Sequence, residues 1–597
     1  MFINIKNRFC KNCWPAILLI IILTSIAYGR SLGNGFVWDD HSLIVDNDFV
    51  KSWSNFPLLF KRDYLTPLEE LDYVKEMAIG SGELSSRPVG TFSFFIDYSL
   101  WQLNPFGYHL TNLIFHILNG ILVYLFIYLI GKNRISALFT ALLFTLHPVN
   151  TEAVNVISFR EDLLALFFML LSLIMYLSLK SLRGKKRVVF YITSNICYIF
   201  ALFSKEMAIT LPLIIILYDY CFSFKDNQKG KDFLIHLKTY YGGYIAISLL
   251  TLWVWFFPMA RPTEFLGDPF GGNSYVKILT MIKVVVIYIS WLFFPFNLHA
   301  TLVDPAILVH SFIEPQFLIS VIVLILSFIL AVRMRKKAKS SFFAIIWFFS
   351  TLIPVLNIIL MPNILANRFL YIPSVGFCFL LALLWQKIWV YHPRYLPTDF
   401  YQRIIIIVGG GLLLLYMSIT FVRSYVWEND LTFQYEMLEY YPDHPRIYLA
   451  IGDTLQKHGA IDQAIIEYER AIALAPYLAE GYNNLGKIYA ERNIFDKAVG
   501  QFKKAIALDP CLKLTHTNLC SVYGEQERYD QSIACFKDAI KNNPDFVQAY
   551  YNLGITYLKM GNRSETVKIW KKALEINPSY KPLKTDFKKL QRSTFKK

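Results

Sequence analysis

Two adjacent carboxylates, Asp39 and Asp40, stand in Gly35-Phe-Val-Trp-Asp-Asp-His41, just after the first apolar segment of the chain. Neighbouring acids point in different directions, so one can take a proton from an acceptor hydroxyl while the other orients that base or binds sugar hydroxyls or a metal. A polar stripe follows. His109, Asn112, His116 and Asn119 are spaced by three, four and three residues, which places them on one face of a helix. Inside a membrane such a stripe must meet protein or water, because lipid would leave it unpaired. Hydrogen bonding between helices accounts for the deeper His116 and Asn119 as readily as chemistry does; His109, nearest the outer surface, is the better site residue. Three clusters fall on the same side: His147-Pro-Val-Asn-Thr-Glu152 followed by Arg160, Glu161 and Asp162; Ser204-Lys205-Glu206; and Asn367-Arg368. With Arg87 before Pro88, the cations Arg87, Arg160, Lys205 and Arg368 stand among carboxylates, the mixture that a substrate bearing both phosphate and sugar requires. Plain ion pairs or snorkelling would place the same residue types there.

Such residues need a scaffold that buries them. Of 597 residues, 55% are hydrophobic and 17% charged, against about 25% charged in an average soluble domain, which excludes a wholly soluble or a disordered chain. Twelve apolar segments of spanning or near-spanning length lie between residues 14 and 422, where a helix crossing hydrocarbon needs about 20 residues. The first follows a basic terminus and ends in Tyr28-Gly29-Arg30 without a small-x-small cleavage site, so it reads as an uncleaved span. Basic clusters at Lys132 and Arg134, Lys180 to Arg187, Lys225 to Lys231 and Arg333 to Lys339 are expected in the cytosol, with residues 34–108 outside. Eleven crossings, with one segment re-entering or lying flat, satisfy that orientation and put everything after residue 425 outside the cytosol. The formal charge of +15 is carried largely in short loops between apolar segments, which argues against a nucleic-acid partner. The eight cysteines show no metal-ligand array. Cys10 and Cys13 form an isolated C-x-x-C, and Cys520 and Cys535 could pair only in an oxidising compartment, so no disulfide is assigned.

Beyond residue 425 the pattern changes. Pro442, Pro476, Pro510, Pro544 and Pro578 recur every 34 residues, the period of tetratricopeptide repeats (TPRs). The second repeat places Tyr482, Leu485, Gly486, Tyr489, Ala498, Phe502 and Ala505 at the motif's positions, and the first and fourth agree. The third departs, with His516 and Cys520 where an aromatic residue and a glycine belong. Four helix pairs suffice to stack one continuous core and leave a concave face suited to an extended chain. The expected organisation is a membrane domain over 1–425, a linker over 426–442, four repeats over 443–578 and a basic, solvated tail over 579–597.

Taken together, Phe-x-Trp-Asp-Asp (36–40), Arg87-Pro88 with Asp97-Tyr98, Asn104-Pro-Phe-Gly-Tyr-His109-Leu-Thr-Asn112, His147-Pro-Val-x-Thr-Glu152-Ala-Val, Ser204-Lys205-Glu206 and Arg368-Phe-Leu-Tyr-Ile-Pro-Ser374 resemble the transmembrane and tetratricopeptide repeat-containing (TMTC) proteins. The resemblance covers nearly the whole chain, in the same order. It implies an all-α fold, a GT-C-like polytopic bundle of about 11 spans followed by a TPR α-solenoid. It also implies a glycosyltransferase that moves mannose from a polyprenyl-phosphate donor to Ser or Thr hydroxyls of a protein. Asp39 and Asp40 would then be the catalytic pair, Asp39 the base, in an inverting transfer. His147, Glu152, Arg160, Lys205, Glu206 and Arg368 match motif positions, and with Arg87 and His109 they form the expected substrate-binding set. One departure is Asn367, where the family usually has an acid. No metal or other cofactor is expected, because basic side chains offset the charge of the leaving phosphate. The implied partners are the lipid-linked donor, an acceptor protein held by the repeats, and membrane lipid. Compact loops favour a bacterial inner membrane over the endoplasmic reticulum. The rival reading is a non-enzymatic, membrane-anchored TPR scaffold, although an anchor needs only one span and leaves the outward acids, histidines and cations without a purpose.

Overall fold

A backbone surrounded by apolar atoms pairs its N–H and C=O groups most completely within a single helix, and the long apolar runs of this chain fold accordingly. The computed structural model describes residues 13–60, 87–225, 227–256, 273–298, 307–357, 363–391, 397–510, 512–578 and 580–594. Cys10 and residues 61–86 of the expected outward loop lie outside them. The chain divides between Phe433 and Gln434 into two compact units.

In the first unit, eight described helices are long and apolar enough to cross a membrane: Trp14–Gly33, Pro105–Gly131, Ile157–Ser181, Gly184–Ser204, Ser274–Phe293, Pro315–Lys337, Pro373–Val390 and Thr398–Arg423. Arg134–Leu146 and Lys339–Val355 are shorter apolar helices. Leu211–Phe222 and Gly242–Phe256 complete the set, so each of the twelve apolar segments carries a helix. The unit is a multi-pass membrane bundle.

The elements that matter for the site are α1 (Trp14–Tyr28), α2 (Pro88–Trp101), α3 (Pro105–Gly131), α4 (Arg134–Leu146), α5 (Thr151–Asn155), α6 (Arg160–Ser178), α7 (Gly184–Ser204) and α8 (Pro373–Val390). Proline at the first turn fixes where α2, α3 and α8 begin, since its missing N–H is one that a helix start leaves unpaired anyway. Asn104 accepts the Phe106 N–H and Asn133 accepts those of Ile135 and Ser136, which caps α3 and α4.

The polar stripe of α3 is buried throughout. Its deeper half is interhelical glue. The Thr145 carbonyl, 3.0 Å from His116 Nε2, can only accept, so that nitrogen carries the proton and Nδ1 accepts from the Tyr371 hydroxyl at 2.8 Å. The Asn119 amide donates to the same Tyr371 oxygen at 3.1 Å and to the Leu163 carbonyl at 2.9 Å. A directed chain of hydrogen bonds thus joins α3, α4, α6 and the turn before α8.

Residues 426–433, expected as part of a linker, pack into this first unit instead. Trp427 is buried and stacks on Phe433, whose ring in turn stacks on Trp38 with centroids 5.2 Å apart. Aromatic burial outweighs the freedom a linker would keep.

The second unit is a run of helix pairs: α9 (Pro445–Lys457) with α10 (Ile461–Leu474), α11 (Ala479–Glu491) with α12 (Phe495–Leu508), α13 (Lys513–Glu525) with α14 (Tyr529–Asn542), and α15 (Val547–Lys559) with α16 (Arg563–Ile576). In three pairs a glycine lets the helices close. A Cβ on Gly452, Gly486 or Gly554 would fall 2.5, 2.7 or 2.0 Å from the ring of Tyr468, Phe502 or Trp570. The expected solvated tail is a helix, α17 (Lys581–Thr594), whose Leu583, Phe587 and Leu590 cover Trp570, Tyr550 and Ala573. Apolar residues at i, i+4 and i+7 make one buried stripe in an otherwise basic segment, the usual form of a capping element.

Candidate active site

The acidic pair sits in a loop held from several directions. The Gly35 N–H donates to the Glu428 carbonyl at 2.8 Å, and the Gly35 carbonyl accepts from His109 Nε2 at 3.1 Å. Trp38 takes a left-handed backbone conformation with φ of 57°, which a bulky residue adopts only when its surroundings enforce it. Its N–H donates to Asp430 at 2.9 Å, and its ring lies against Phe433 and Phe159. His41 Nε2 is 2.7 Å from the other Asp430 oxygen. A single π-helical turn, His41–Val45, follows directly, a local geometry that recurs at functional sites.

Asp40 is fully buried, and both its oxygens are engaged. Oδ1 accepts the Ser158 N–H at 2.7 Å; Oδ2 accepts the N–H groups of Val37 at 3.1 Å and Ile157 at 3.4 Å. Burial pushes its carboxyl up to about 6, and these backbone donors pull the other way. Asp40 therefore clamps its own loop onto the turn that opens α6. Asp39 lies beside it, also buried, and its backbone carbonyl accepts from Ser42.

Around this pair the cations and acids form three networks. Glu152 of α5 binds Arg368 at 2.6 Å, and its second oxygen accepts the Asn367 N–H at 2.9 Å. The Arg368 guanidinium lies 3.9 Å from the centroid of Phe159 and 6.0 Å from that of Trp38, which links this pair to the acidic loop. Arg160 pairs with Asp97 of α2 at 2.6 Å and donates to Asn112 at 2.6 Å, Ser93 at 3.1 Å and the Tyr108 carbonyl at 3.0 Å. Lys205 pairs with Asp162 at 2.7 Å and Glu161 at 3.3 Å. Arg87 joins that last group by binding Glu161 and, at 2.8 Å, Glu206. All four expected cations thus have carboxylate partners within the protein, Glu206 alone among these acids being half-buried.

Two histidines serve the scaffold. His147 accepts the Val149 N–H at Nδ1 and reaches the Leu292 carbonyl with Nε2 at 3.0 Å, so neither ring nitrogen is left for the substrate contact expected of it. His109 ties α3 to the acidic loop. Asp97, Asn112 and Asp430 were not among the expected site residues. A carboxylate inside the apolar run Phe94-Phe95-Ile96-Asp97 signals a buried partner, whereas nothing near Asp430 in sequence points to His41. Among the described residues no group of three or more His, Cys, Asp or Glu side chains is arranged to hold a metal ion.

Models described as tetratricopeptide repeat match residues 445–477, 479–510 and 547–580, and one described as TPR repeat matches 521–561. A crystal structure of MamA is 28% identical, covering 25% of this chain and 86% of that one at a TM-score of 0.23. Protein O-mannosyl-transferase F38B6.6 of Caenorhabditis elegans is 26% identical over 471 residues, 77% of this chain and 63% of that protein. Human protein O-mannosyl-transferase TMTC3 is 24% identical over 80% of this chain and 53% of its own length; human TMTC1 is 26% identical over 79% and 56%. The chain thus spans little more than half the length of the two human relatives. Its resemblance to the TMTC proteins runs through both units, and its C-terminal unit is built from tetratricopeptide repeats.

Proposed function

We propose that this chain is a membrane glycosyltransferase that moves a sugar, mannose as in the names of its relatives, from a polyprenyl-phosphate donor to a Ser or Thr hydroxyl of a protein. The observation that carries the reading is the division of labour in the acidic pair. Asp40 spends both oxygens on three backbone N–H groups and fixes the loop, which supports a structural part for Asp40 and the part of base for Asp39. Asp39 takes the acceptor hydroxyl's proton, the hydroxyl oxygen bonds the anomeric carbon, and the bond from that carbon to phosphate breaks with inversion. Polyprenyl phosphate leaves as the anion.

The cations divide in the same way. Arg160, Lys205 and Arg368 are each buried against buried carboxylates and position the turn at residues 156–162 and the start of α8. Arg87 can meet the donor phosphate by exchanging its half-buried partner Glu206, because a phosphate offers the same bidentate geometry as a carboxylate. The repeat unit would hold an extended acceptor polypeptide on its concave face. In this reading the N-terminus is cytoplasmic, and residues 34–108 and the repeats lie on the opposite side of a bacterial inner membrane or the endoplasmic reticulum.

Membranes carrying Asp39→Asn, supplied with polyprenyl-phosphate mannose and an acceptor peptide, should transfer sugar 10²- to 10⁴-fold more slowly, a range typical of a lost general base, about 3–5 kcal/mol of barrier. Donor binding should persist. Undiminished transfer would remove Asp39 from the mechanism, and acceptor binding that survives with no transfer by the unaltered chain would favour the scaffold reading.

A further inference from the structure

The third repeat is assembled differently from its neighbours. At the position where the others have Gly452, Gly486 and Gly554, it has Cys520; opposite, Phe536 takes the place of Tyr468, Phe502 and Trp570. Cys520 and Phe536 are both buried. A side chain at this position stands where the glycines admit an aromatic ring. The residue before Phe536 is Cys535, and the equivalent residues of the other repeats are Glu467, Gln501 and Ile569. Both exceptions therefore occur in one repeat, and they meet: Cys520 and Cys535 are bonded to each other, with Cα atoms 5.4 Å apart and a sequence separation of 15. The other described cysteines, Cys13, Cys197, Cys221 and Cys378, are unpaired and belong to the first unit.

We propose that the third repeat is closed by a structural disulfide that replaces the glycine–aromatic contact of its neighbours, and that the repeat unit matures in an oxidising compartment. Closing the bond takes two protons and two electrons from the two thiols, and a dithiol–disulfide oxidant of that compartment is reduced in exchange. A cross-link between helices of one hairpin limits the open states of that hairpin, so it can stand in for the glycine–aromatic contact of the neighbouring repeats. The consequence reaches further than one repeat. Cys520 and Phe536 share a cluster with Phe546, Ala549, Leu553 and Tyr557 of the fourth repeat, and in a solenoid each repeat depends on its neighbours. Reduction should therefore loosen the array in its middle.

Differential alkylation of the full chain taken from its native membrane reads the bond directly. Cys520 and Cys535 should react only after reduction and appear as one linked peptide before it. Hydrogen exchange of the same full-length protein should then show protection in α13 and α14 falling on the order of a hundredfold when reductant is added, with the first repeat unchanged. Cys520→Gly with Cys535→Ala, which restores the small residue of the other repeats, should keep its protection in either condition. Alkylation of both thiols without reductant, or protection indifferent to reductant in the unaltered chain, would overturn the proposal. Neither readout involves sugar transfer, so this inference stands or falls apart from the reaction assigned to the first unit.

Discussion

Two ion pairs of equal length mark how differently the two units use charge. In the membrane bundle Glu152 and Arg368 are each 1% exposed and 2.6 Å apart; in the repeat unit Asp462 and Arg492 are also 2.6 Å apart but 85% and 40% exposed. Water surrounds the second pair and screens it, so holding two long side chains together gains little. The first pair has no such alternative. Either partner left alone would be a buried, uncompensated charge, which makes the pair a constraint on geometry more than a source of stability. The repeat unit obtains its order from apolar contact and small residues. The bundle, surrounded by lipid as apolar as its own core, depends on polar networks to specify which helices meet.

That contrast is tested first where it predicts most. Arg368→Leu should destabilise the bundle by about 3–5 kcal/mol, while Arg492→Leu should move the repeat unit by less than about 1 kcal/mol. Glu152→Leu combined with Arg368→Met should recover most of the loss, as read by thermal unfolding in detergent; a double variant as damaged as the single would mean that the pair itself stabilises.

Asp40 comes next. Its folded value, about 6, lies above the ordinary 3.8, so its contribution to stability is whole at low pH and is lost as pH rises toward the folded value. The difference between the two values corresponds to about 3 kcal/mol across that window. Asp40→Asn should therefore flatten the fall in unfolding midpoint between about pH 4 and pH 7, and an unchanged slope would deny the burial argument.

The smallest effects belong to the repeats. A Cβ at Gly486 would meet the Phe502 ring at 2.7 Å, whereas nothing lies within 4 Å of one at Gly500. Gly486→Ala should cost about 1–3 kcal/mol and Gly500→Ala should add about 0.5–1 kcal/mol, measured by chemical denaturation of the repeat transition.

What could be read from the sequence follows the same divide. A 34-residue period is a local signal, and it announces the helix pairs, their glycines and the exception at Cys520 without reference to anything distant. The spans were legible from hydropathy for the same reason. The candidate site was legible only as a collection of residue types. Arg368 reaches Glu152 across 216 positions and His41 reaches Asp430 across 389, separations that no spacing rule exposes. Hence residues 426–433 looked like linker, although Trp427 and Asp430 help to hold the acidic loop. His147 looked like a ligand because a buried histidine bonded to two backbone groups has the same letters around it as a reactive one. The terminal helix was hidden by its lysines, which outnumber the three apolar residues that dock it.

The most direct test is product analysis. The unaltered chain, reconstituted in vesicles with polyprenyl-phosphate mannose and a Ser- and Thr-bearing peptide, should yield peptide carrying one hexose on a hydroxyl oxygen, with anomeric configuration opposite to that of the donor. A product that keeps the donor's configuration, or a donor left intact by a folded protein, would contradict the account.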